Sequence, residues 1–111
     1  MIHTGLTSAR WRQFNIYEQL ANVGMDVFRA ILWREKGRLD LSEKAFFRAL
    51  ELLSLTIDDP KNHGAKLKEL CRLYEVLVDY FAGDNIYGSS DKLWEKYFFG
   101  YNYAAQLQKG K

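Results

Sequence analysis

Residues 62–82 read NHGAKLKELCRLYEVLVDYFA. Within this stretch Leu67, Leu70, Cys71, Tyr74, Leu77, Val78 and Phe81 recur three and four positions apart. Side chains at that spacing share one side of an α-helix, so the segment predicts an amphipathic helix. Gly83 follows as a natural C-terminal stop, because glycine tolerates the backbone turn that ends helices. A helix with one apolar side needs partners to cover it, and the flanking sequence supplies three.

On the C-terminal side, residues 83–89 are rich in Gly, Asp, Asn and Ser and predict a loop. Ser90 is placed to cap a further helix carrying Leu93, Trp94, Tyr97, Phe98, Tyr101, Ala104 and Leu107. On the N-terminal side, Asp40 opens a helix with Glu43 in its first turn, and Pro60 ends it or opens the next. Its apolar positions are Leu41, Ala45, Ala49, Leu52, Leu53 and Ile57. A first helix is predicted from Ser8 to Lys36, with Gly37 as its stop. Phe14, Tyr17, Leu20, Ala21, Gly24, Val27, Phe28 and Ile31 form its stripe; Ile16, Val23 and Ala30 widen it enough for two neighbours. Such a helix would extend about 43 Å at about 1.5 Å per residue. Short connections favour antiparallel neighbours. The expected fold is therefore all-α: an up-and-down antiparallel four-helix bundle with a long first helix. It occupies residues 1–111 as one domain, with residues 1–7 a mobile tail.

Composition agrees with a globular helical chain. The 111 residues are 48% hydrophobic and 27% charged, with a single proline, which leaves little punctuation for a many-stranded sheet. One cysteine excludes an intrachain disulfide framework and a multi-cysteine zinc site. No apolar run reaches the length of a membrane span, and no signal-peptide pattern is present, so a cytoplasmic location is expected. The net charge of +2 does not by itself imply nucleic acid.

Chemistry-bearing patterns are scarce. Cys71 falls in the apolar stripe and is expected to be a buried structural thiol. His3 lies in the tail and His63 at a helix start. Neither has a carboxylate at the Glu-x-x-His spacing of di-iron bundles. Helical-bundle ribonucleases use an arginine and a histidine with four to six residues between them. At those offsets from His63 stand Asp58, Ile57 and Thr56. The loop 83–90 leads into a helix N-terminus, an arrangement that attracts anions, yet it matches no nucleotide motif and carries Asp84 with Asp91 nearby. A capped interhelical loop is the reading adopted. No catalytic, cofactor-binding or metal-ligating residue, no cofactor and no small-molecule substrate are assigned.

The remaining signal is aromatic. Trp11, Trp33, Phe47, Phe99 and Tyr103 fall off the apolar stripes and form the candidate protein interface. On the last helix Lys92, Lys96, Phe99 and Tyr103 share one stripe. Homodimerisation or contact with another protein is the favoured role. The alternative is a nucleic-acid-binding accessory protein. Bundle topology would gather Arg10, Arg12, Lys61, Lys66, Lys68 and Lys109 at one pole, against Asp58, Asp59 and Glu69. Arg48 lies close to the apolar side of its helix; the expectation is a stem over the core edge with the head in water, and the alternative is a buried ion pair.

Three groups of residues also carry a resemblance. They are Trp11-Arg12-Gln13-Phe14 with Tyr17 to Asn22, Arg48 to Leu53 with Thr56-Ile57, and Glu75 to Phe81. Together with Trp94, Lys96-Tyr97-Phe98 and Tyr101 to Ala105, the chain resembles a small family of uncharacterised bacterial helical-bundle proteins. The resemblance spans nearly the whole chain and implies a compact bacterial domain. It brings no activity and no site residues.

Overall fold

A computed structural model describes residues 8–109, and the side chains of residues 8–107. The expected tail at 1–7, His3 and the side chain of Lys109 lie outside the described residues. Among the described residues every regular element is an α-helix: α1 (Ser8–Trp11), α2 (Ile16–Glu35), α3 (Leu39–Ile57), α4 (Ala65–Ala82) and α5 (Asp91–Lys109). No helix among them is long and apolar enough to cross a membrane.

The expected long first helix is divided. Asn15 accepts a hydrogen bond from the Glu18 backbone N–H at 2.9 Å, and the Glu18 carboxylate accepts one from the Asn15 N–H at 3.1 Å. This reciprocal capping box starts a new helix, so α1 and α2 are separate elements. With 20 residues, α2 spans about 30 Å and is hardly longer than α3 or α5, which have 19 each. Gly37 ends it as expected, at φ +77°. Two other starts are shifted. Arg38, not Asp40, precedes α3, and Asp40 instead lies in the first turn, 3.5 Å from the Arg38 guanidinium. The α4 helix begins at Ala65 after Gly64 (φ +64°), because Asn62 is drawn into the interior by side-chain hydrogen bonds. Ser90 caps α5 as expected, accepting from the Leu93 N–H at 3.2 Å.

The core is built around α2. Leu20, Val23, Val27 and Ile31 are buried against Ala49, Leu52 and Leu53 of α3, Leu70, Leu73 and Leu77 of α4, and Trp94 and Phe98 of α5. Burying each such side chain is worth about 1.5–3 kcal/mol relative to leaving it in water. The buried line of α4 runs through Leu70, Leu73 and Leu77. At 100° per residue, Cys71 stands about 130° from the centre of that line. This corrects the expectation of a buried thiol: Cys71 is exposed.

The α2 and α5 helices approach closely at Gly24. A Cβ placed on Gly24 would lie 2.7 Å from Phe98 Cβ and 2.8 Å from its ring. Gly24 is thus kept by close packing, since any larger side chain would force the two helices apart. Gly100, on α5, has nothing within 4 Å of the same built atom. The same substitution should therefore have opposite effects at the two sites. Gly24→Ala is expected to destabilise by about 1–3 kcal/mol through overpacking. Gly100→Ala should stabilise by up to about 1 kcal/mol through helix propensity. Urea unfolding of both variants checks the pair.

Candidate interaction surfaces

One pole of the molecule is held by a buried polar network. Asp59, only 1% exposed, sits in the turn after α3. It accepts from Gln19 Nε2 at 2.9 Å, from the Lys61 backbone N–H at 3.0 Å and from Lys61 Nζ at 2.9 Å. Lys61 Nζ also donates to the carbonyl oxygens of Arg12 and Phe14, where the chain breaks between α1 and α2. Gln19 Nε2 donates to the Trp11 carbonyl at 3.1 Å, and Gln19 Oε1 accepts from Asn62 Nδ2 at 3.0 Å. Burial pushes the Asp59 carboxyl pKa up, but the donors Gln19 and Lys61 outweigh it and hold it below the usual aspartate range.

This network decides the fate of two expected site residues. Trp11 is 2% exposed and donates its indole N–H to Thr56 Oγ1 at 3.0 Å. The expectation that it belongs to an outer surface is corrected: once α1 ends at Trp11, the ring turns inward onto α3. Lys61, expected at a nucleic-acid contact, instead bridges Asp59 to the α1–α2 junction.

The other expected basic residues are dispersed in their roles. Lys66 pairs with Glu69 at 3.1 Å and lies 5.8 Å from the centre of the Tyr101 ring. Glu69 in turn accepts the hydroxyl hydrogens of Tyr97 and Tyr101, each at 2.9 Å. Burial raises the pKa of Glu69, yet these tyrosines and Lys66 hold it below its ordinary value. The Tyr97 hydroxyl is pushed well above the ordinary phenol range, first by burial and then by its neighbours. Arg12 reaches the Asp58 carbonyl at 3.4 Å. Arg10 and Lys68 are exposed.

Several backbone donors of the loop 83–90 are taken internally. Asp79 accepts from the Ile86 N–H at 2.9 Å and from the Tyr87 N–H at 3.1 Å. Asn85 (φ +53°) exchanges side-chain hydrogen bonds with the Ser89 backbone. These bonds support the capped-loop reading. No group of three or more potential metal ligands comes together among the described residues.

Aromatic residues remain on the outside. Phe99 is 65% exposed and Tyr103 58% exposed. Their rings stack with centroids 6.5 Å apart and planes 17° from parallel. They lie on α5 opposite the buried Trp94, Phe98 and Ala105, with Leu93 and Leu107 exposed beside them. Trp33 is half-buried, with the Lys36 ammonium 5.6 Å from its ring centre. Phe47 is exposed and lines a cleft of about 360 Å³ between α2, α3 and α4. Sequence spacing alone had no signal for this cleft, because it is closed by Arg34 and Phe81 from distant helices.

Two carboxylates held below their ordinary range make stability pH-dependent. Their contribution is complete above the unfolded-state carboxylate pKa and is lost as pH falls through the folded-state values. Thermal unfolding between pH 7 and pH 2.5 should show this acid loss. Asp59→Asn should weaken it and cost about 1–3 kcal/mol at neutral pH, typical of hydrogen bonds to a charged group. Comparison with protein-family models, with curated proteins and with solved structures gives no match for this chain.

Proposed function

We propose that this chain is a non-catalytic binding or scaffold protein that self-associates through the outer face of α5. The observation that carries this reading is the stacked Phe99–Tyr103 pair on the solvent side of a helix whose other side fills the core. An apolar face left open after the core is filled is characteristic of a protein contact. In this reading α2 to α5 form an up-and-down antiparallel bundle, and α5 of a second copy covers the rings. A two-fold axis near Tyr101 would set Phe99 of each copy on Tyr103 of the other, the self-complementary arrangement of a symmetric dimer. Lys92 and Lys96 favour antiparallel pairing. Side-by-side parallel helices would bring equivalent lysines together. The antiparallel arrangement separates the two Lys96 positions by about 15 Å along the helix, beyond the screening length of about 8 Å at physiological salt.

The nucleic-acid alternative would draw on Arg10, Arg12, Lys61, Lys66, Lys68 and Lys109. Three of these, Arg12, Lys61 and Lys66, have internal partners, and Lys61 is held by three oxygen acceptors. The aromatic face has the stronger support. Analytical ultracentrifugation at micromolar concentration should show a dimer. The double substitution Phe99→Ser with Tyr103→Ser should give a monomer of unchanged helix content. A wild-type monomer throughout that range overturns the reading.

A further inference from the structure

The cleft is lined by residues of α2, α3 and α4, and its chemistry differs from that of the Phe99–Tyr103 face. Phe46, Phe47 and Phe81 form a continuous wall, with ring centroids 5.5 Å apart for Phe46–Phe47 and 5.1 Å for Phe46–Phe81. Leu39 extends this wall at the exposed edge. The volume of about 360 Å³ lies within the range of small-molecule sites, roughly 300–1,000 Å³, which are mostly apolar with a few polar anchors.

Three polar side chains line it: Arg34, Ser42 and Glu43. Two are already occupied. Ser42 donates its hydroxyl to the Ala30 carbonyl at 2.7 Å. Arg34 lies 2.6 Å from Asp91, donates to Tyr80 and stacks 5.0 Å from the Phe81 ring centre. Its charge is balanced by Asp91, just as Arg38 at the start of α3 is balanced by Asp40. Glu43 has no hydrogen-bond or ion-pair partner among the described residues, and its side chain is exposed at the cleft. The unbalanced charge at the site is therefore negative and adjoins a phenyl-lined wall.

We infer that this cleft binds a small amphiphilic amine, with its apolar body on Phe46, Phe47 and Phe81 and its ammonium on Glu43. A carboxylate accepts hydrogen bonds and attracts cations, whereas the aromatic faces favour an apolar body with positive charge near it. Neither Phe99 nor Tyr103 lines this site, so its occupant does not depend on self-association.

The probe is 2-phenylethylammonium, titrated into the full chain at pH 7 and low salt. Binding is followed by calorimetry and by NMR shifts of backbone amides. A dissociation constant of about 1 mM or below is expected for a ligand of this size. Shifts should concentrate at Leu39, Phe47 and Ala82. Glu43→Gln and Phe47→Ser should each weaken binding at least fivefold, and Glu43→Gln, which alters an exposed side chain, should leave the thermal midpoint nearly unchanged. The uncharged 2-phenylethanol and the anionic 3-phenylpropionate should bind at least fivefold more weakly. The Phe99→Ser/Tyr103→Ser variant should bind the amine as the wild type does, so loss of the dimer and loss of this site are separately visible. Absence of binding, shifts centred elsewhere, or equal binding of the alcohol or the carboxylate would overturn the assignment.

Discussion

The carboxylate of Asp59 is taken out of water at the turn between α3 and α4, and the surrounding architecture answers to that burial. A buried charge is tolerable only when hydrogen bonds and an opposite charge replace the lost water. Here the replacements come from three separate parts of the chain: Gln19 on α2, the backbone of the turn itself, and Lys61. Lys61 then reaches the carbonyls of Arg12 and Phe14, which have no helical partners because the chain breaks there. Charge balance, backbone satisfaction and the inward placement of Trp11 are thus parts of one arrangement.

The opposite end is held by a more exposed device. Arg34 of α2 joins Asp91 at the start of α5 and Tyr80 near the end of α4. Its guanidinium also stacks on Tyr80 and Phe81, at 4.8 and 5.0 Å. Along the shaft between these ends, α2 and α5 meet at Gly24 and Phe98, where packing is too close for a side chain on α2. The α4 helix is joined to α5 chiefly through long side chains, with Tyr80 packing against Trp94 and Glu69 joining Tyr97 and Tyr101. Large rings fill the wider gap. The Trp94 indole N–H is buried there without a partner among the described residues. An unpaired buried donor of this kind costs about 1–3 kcal/mol, which the stacking of Trp94 on Phe98 and its contacts with Tyr80 and Tyr97 offset.

Asp26 provides a second case of a charge buried beside solvent. It is paired with Arg29 at 2.9 Å and lies 3.9 Å from the Arg48 guanidinium across the α2–α3 contact. Arg48 stays half-exposed but faces the buried Asp26 carboxylate, the alternative of an ion pair with a buried charge that its place on the helical wheel allowed. Both features leave the α5 outer face untouched.

Periodicity determined that the chain is helical, that Gly37 and Gly83 end helices with a loop after Gly83, and that Phe99 and Tyr103 face outward. These are local properties: the 3.6-residue repeat, the conformational freedom of glycine and the capping of backbone groups act over a few residues. The Asn15–Glu18 capping box was also present as a four-residue pattern, but the continuous apolar stripe across it concealed the break between α1 and α2. What only the tertiary structure decided is how each stripe is rotated and which polar groups meet. Cys71 and Leu73 both fit a helical stripe, and the neighbouring helices chose Leu73. Trp11, Lys61 and Glu43 have the same local grammar as many surface residues. Their environments differ because burial, charge balance and cleft walls are set by residues 40 or more positions away in Trp11–Thr56 and Gln19–Asp59, which no local pattern encodes.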